Sequence, residues 1–147
     1  MQIARWIHLL GVVVWIGGMF FAHMALRPAA LALPPPQRLP LLAGTLTRFL
    51  GWVAVAIVGI LVSGVALIVM LGGMRSAGVA VHAMTGLGVL MMLIYGHIVA
   101  VPLRRLRAAV AAADWERASA AMAQVRRSVG VNLVLGLVTI TVAVLGR

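Results

Sequence analysis

Four long apolar runs decide what this chain can become. They fall at about residues 3–26, 49–71, 76–103 and 128–145, and the second holds no charged residue at all. Each is long enough to cross a hydrocarbon layer of about 30 Å as a helix. Inside hydrocarbon a peptide group finds no partner except another peptide group. The runs are continuously apolar and do not alternate, which disfavours a barrel. The pattern therefore predicts an all-α, integral-membrane bundle of four transmembrane helices forming a single domain. The 64% hydrophobic content agrees, since a soluble domain of 147 residues carries more charge.

The charge that remains is one-sided. All 12 basic residues are arginine, only Asp114 and Glu116 are acidic, and the formal net charge is +10. In a soluble protein this balance would suggest nucleic acid. Here the arginines stand at the ends of apolar runs, where they meet lipid phosphates and set topology, so the expected partner is the lipid bilayer and not nucleic acid. Arg27, Arg38, Arg48, Arg104, Arg105, Arg107, Arg117, Arg126 and Arg127 fall on one side; Arg5, Arg75 and Arg147 fall on the other. Nine against three predicts both long connectors in the cytoplasm and both termini outside, in a bacterial inner membrane.

The first run has Arg5 in front and Ala30-Leu31-Ala32 behind, a signal-peptide outline. Its apolar stretch exceeds the usual core of roughly 7–15 residues, so it reads as a retained helix. Pro34-Pro35-Pro36 predicts a stiff extended connector, followed by a short amphipathic stretch from Leu39 to Arg48 at the interface. Gly51, Gly59 and Gly64 leave room for a neighbouring helix. Gly72-Gly73 predicts a tight turn that makes spans two and three antiparallel neighbours. The alanine-rich stretch 103–127 is strongly helix-forming. With Asp114 as N-cap and Glu116 in the first turn, it predicts that helix three runs on into the cytoplasm, turns near Ala113 and returns as helix four.

Four histidines are the chemical signal. His8 and His23 lie in the first run, His82 and His97 in the third, 15 residues apart in both. That spacing is about 22 Å along a helix with a net rotation of roughly 60°. Spans one and three run parallel, which puts His8 level with His82 and His23 level with His97. Ionisable residues inside a membrane are costly and mark functional sites. Two facing imidazole pairs suit the axial positions of b-type haem, and a bundle core is where such a site is built. The spacing thus predicts two haems held by His8/His82 and His23/His97, with Gly11 and Gly86 making room for the rings. Arg5, Arg27, Arg75, Arg104 and Arg105 lie near the histidine levels and could pair with the propionates. The matching function is electron transfer within or across the membrane, as an oxidoreductase acting on quinol, superoxide or a porphyrin. Its partner would be a quinol or a periplasmic redox protein, and a homodimer fits the reading.

Copper is the rival cofactor. The chain has nine methionines and no cysteine, so any metal must be held by His, Met, Asn or carboxylate. Methionine together with histidine suits Cu(I). Met19 stands four residues before His23, Met24 adjoins it, and Met84, Met91 and Met92 follow in the third run. Methionine is also an ordinary filler of apolar cores. Ser63, Thr85, Asn132, Thr139 and Thr141 are the other intramembrane polar groups, and Asn132 reads as a hydrogen bond between helices. No acidic residue lies within a span, which disfavours a carboxylate proton relay.

The first helix carries a family pattern. His8-Leu9-Leu10, Val13-Val14-Trp15-Ile16-Gly17-Gly18-Met19-Phe20 and Arg27-Pro28 resemble the opening helix of CopD-like membrane proteins. Arg127 and Asn132-Leu133-Val134-Leu135-Gly136 resemble the last helix of that family. The resemblance implies a copper-binding or copper-transport membrane protein. The first helix is also similar to that of HemJ-type protoporphyrinogen oxidases, small four-helix proteins that bind haem b. That likeness implies haem ligation by His8. The lysine that the HemJ pattern carries on its third helix has no counterpart here.

Overall fold

A computed structural model describes residues 1–146, and among them the chain is helical almost throughout. Four helices are long and apolar enough to cross a membrane: α1 Gln2–Ala30, α2 Pro35–Met70, Val79–Ala111 and Trp115–Leu145. The third is broken once, so α3 is Val79–Ala100 and α4 is Pro102–Ala111; the last helix is α5. The break follows from Pro102, which has no N–H to give and restricts the residue before it. Val101 accordingly leaves helical geometry, at φ −120° and ψ −79°.

Helix α2 corrects the expectation for its first half. Only Pro34 is extended, at φ −66° and ψ 154°; Pro35 already begins the helix. The first N–H groups of a helix are unpaired anyway, and the fixed φ of proline suits that turn. The stretch Leu39 to Arg48 is therefore no separate interfacial piece. It is continuous with the span, and Leu39, Leu42, Ala43 and Leu46 are buried in it. At 36 residues, α2 is about 54 Å long, well beyond the hydrocarbon. Its start packs against α4, and α4 packs against the start of α5. These three segments protrude together around a core of Leu103, Leu106, Ala118, Ala121 and Val125. The turn and cap at the tip fall where the sequence puts them. Ala113 has φ +52°, and the Asp114 carboxylate accepts from the Arg117 N–H at 3.1 Å.

Within the spans, helices pair as α1 with α2 and α3 with α5; the middle and second half of α1 also touch α5. Gly11 lets α1 close on α2, since a Cβ there would lie 2.7 Å from Ile60 Cγ1. That space is therefore taken by Ile60, not left for a porphyrin ring, while Gly86 borders open space. Gly59 and Gly64 receive Ile7 and His8 as neighbours, but Gly51 meets none. Gly72 and Gly73 make the expected turn, both at positive φ (+89° and +91°). Beyond it α2 and α3 do not pack along their length. They meet farther in, where the Tyr95 hydroxyl donates to the Leu50 carbonyl at 2.9 Å. The outward faces are apolar, with Val58, Val62, Val65 and Val69 each at least 60% exposed. That is a surface for lipid, the inverse of a water-soluble one.

The protruding core is an ordinary packed interior. Leu106 is fully buried, so Leu106→Ala is expected to cost about 2–5 kcal/mol. Arg107→Ala, on the exposed side of the same turn, should stay within about 0.5 kcal/mol. Denaturant melts in detergent compare the two.

Candidate functional site

Helix α1 brings two half-buried imidazoles to its neighbours. His8 Nδ1 lies 3.2 Å from Ser63 Oγ on α2, and the ring edge rests on Gly64, where a Cβ would lie 3.4 Å from Cε1. The Ser63 hydroxyl donates its one proton to the Gly59 carbonyl of its own helix. With its proton there Ser63 accepts from His8, an arrangement that favours the imidazole proton on Nδ1. Nε2 keeps a free lone pair, the arrangement in which histidine serves as a metal ligand. His23, near the other end of α1, rests on α5 instead: a Cβ on Gly130 would lie 3.3 Å from its Cε1. Two π-helical turns interrupt α1, at Val13–Gly17 and Ala22–Leu26. The second contains His23. Such turns are frequent at functional sites.

Between the two histidines lies a sulfur-bearing core. Met19 is 2% exposed and Met91, on α3, is 3% exposed. Ile16 and the Met91 methyl both close on Gly136 of α5, and Met19 follows about one turn farther along α1. The Thr139 hydroxyl gives its proton to the Leu135 carbonyl at 2.8 Å. It also lies 4.0 Å from Met91 Sδ, at the outer limit of a hydrogen bond to sulfur. Asn132 donates from Nδ2 to the Met91 carbonyl at 3.3 Å, the interhelical bond its residue type suggested. Its Oδ1 is buried, and among the described residues it has no partner. A buried amide oxygen without a donor carries a desolvation cost. Trp15 and Tyr95 meet edge to face at 6.4 Å, so α1 and α3 touch across the middle of the bundle.

The four histidines do not form two facing pairs. His8 faces α2 and His23 faces α5, while His82 and His97 are exposed on the outside of α3. His82 Nδ1 is held by its own helix, 3.1 Å from the Gly78 carbonyl. The reason is the helix pairing: small residues let α1 close on α2, and α1 and α3 sit opposite each other. A haem with two axial imidazoles does not fit this arrangement within one chain. The arginines assigned to propionates divide as well. Arg5, Arg75, Arg104 and Arg105 are exposed, and Arg27 is half-buried beside α2 and α5. Among the described residues no three His, Cys, Asp or Glu side chains gather as a metal cluster. Gly64 was legible as room for a neighbour but not as the seat of His8, and the seat at Gly130 and the Ser63 contact were not named from the sequence. A glycine in an apolar helix does not say which neighbour it receives.

The pairing is open to direct test, because the chain has no native cysteine. A Cβ on residue 11 would lie 2.7 Å from Ile60 Cγ1, so Gly11→Cys with Ile60→Cys brings two thiols within reach of each other and is expected to oxidise readily. His8→Cys with His82→Cys is expected to stay reduced. Non-reducing gels of proteolysed protein read both, and the opposite result would restore the facing-pair geometry.

A model of the family described as copper resistance protein D (CopD) matches residues 43–145. The matched region begins within α2 and runs to the end of α5, so α1 lies outside it. No curated protein and no solved structure matches the chain. The match spans well over half of the sequence, with most of α2 and the whole of the last two membrane-length helices, so this multi-pass membrane protein belongs to the CopD family.

Proposed function

We propose that the chain handles copper, moving Cu(I) through the membrane along the inward side of α1. The observation that carries this reading is the buried Met19, with a half-buried imidazole on either side of it on the same helix. A methionine wholly inside an apolar core is usually filler. Here it lies between two imidazoles, one with a free Nε2, and near a second buried thioether, Met91. Thioether and imidazole are the donors that favour Cu(I) over harder ions. The ion is cargo in this reading, so weak donor sets in series serve better than one tight cage. Copper enters at His8, exchanges onto Met19 and Met91, and leaves at His23. No redox step is needed, since the metal stays Cu(I) throughout. Both termini outside, as the arginine balance favours, make the direction inward. Membership of the CopD family supports copper as the metal.

The test is a competitive titration of purified protein with Cu(I) against a chromophoric chelator. Wild type is expected to hold about one Cu(I) per chain. Met19→Leu and His23→Ala, each close to volume-conserving or set at the helix surface, should each weaken binding at least tenfold. His97→Ala should leave it unchanged. The absorption spectrum of the same sample checks the other cofactor. Protein that holds no Cu(I) and shows a low-spin b-type haem band would replace copper handling with electron transfer.

A further inference from the structure

Arg27, Arg38 and Arg126 differ from the other described arginines. These three are half-buried, and the other eight are exposed. All three line one cavity of about 140 Å³ between the end of α1, the start of α2 and α5. Arg38 Nη1 donates to the Leu33 carbonyl at 3.3 Å, which fixes its guanidinium. No carboxylate lines the cavity. Among the described residues the one ion pair is Asp114 with Arg117, at 3.4 Å, so none of the three has a counter-charge. Three like charges drawn together and partly out of water are unfavourable unless something negative joins them.

We infer that this cavity binds a phosphate-bearing anion. Guanidinium forks match phosphate oxygens two at a time, which makes arginine the residue for this ligand. A water takes about 30 Å³ of liquid, so the space equals roughly four or five waters, enough for one phosphate group. Ser119 adds a hydroxyl at the rim, and Leu31, Leu39, Leu42 and Met122 form apolar walls. The depth is suitable for a headgroup. Arg27 stands one turn past His23, and Arg126 one turn before Gly130, on which His23 rests. The cavity thus opens where the apolar spans end, the level at which basic pockets between helices meet lipid headgroups. The same chemistry also accepts free phosphate. Nothing in the site depends on copper.

The full chain in discs of zwitterionic lipid separates the sources. One arm adds phosphatidylglycerol to the disc, and the other adds inorganic phosphate to the buffer at constant ionic strength. The melting temperature of wild type should rise by a few degrees in at least one arm. Arg38→Gln with Arg126→Gln should lose most of that rise. Arg104→Gln with Arg107→Gln removes the same charge from exposed positions and should keep it. A response to the lipid alone assigns a headgroup, and a response to phosphate assigns a free oxyanion. Should the glutamine pair fail to fold, Arg38→Lys with Arg126→Lys keeps the charge without the fork and should lose more than half of the rise. No response from wild type in either arm, or an equal loss in the exposed pair, would overturn the site.

Discussion

In hydrocarbon a peptide N–H has no partner but another peptide group, so the apolar runs of this chain can cross only as helices. That constraint fixes the elements but not their neighbours. Lipid tails are as apolar as leucine, and helices inside them associate through close packing and a few polar contacts. The pairing therefore rests on small details: Gly11 under Ile60, Gly64 under His8, Gly130 under His23, Gly136 under Ile16 and Met91. Each glycine admits one particular side chain. Together they join α1 to α2, hold α5 against both α1 and α3, and leave α1 and α3 facing across the core.

The protruding half obeys different physics. There the start of α2, the helix α4 and the start of α5 bury leucine, alanine and valine as a water-soluble protein would. The arginines face outward, except for the three that close around the cavity. The helices cross from one regime to the other without interruption, save at Val101, where Pro102 removes a hydrogen bond. The protruding core gives α2 and α5 a fixed footing, and from that footing the adjoining ends of the spans take their positions.

Much of this was legible in the sequence. The four spans, the Gly72-Gly73 turn, the turn near Ala113 and the Asp114 cap follow from hydropathy and local stereochemistry, which neighbouring residues determine. The proline run misled, because three prolines read as an extended rod although a helix start accommodates two of them. The helix partners were not legible, because every apolar face of a membrane helix satisfies the same lipid. Equal spacing of His8 and His23 with His82 and His97 suggested matched pairs. Spacing fixes depth but not facing, and only the close approaches at glycine decide which way a ring turns. The arginine cavity was equally hidden, since Arg27, Arg38 and Arg126 come from three different helices.

The account turns on which atoms hold the metal. X-ray absorption at the copper edge of Cu(I)-loaded protein reads them directly. Mixed sulfur and nitrogen neighbours are the predicted result, with the sulfur signal reduced in Met19→Leu. A first shell of nitrogen or oxygen alone, unaltered by that substitution, would contradict the proposed path along α1.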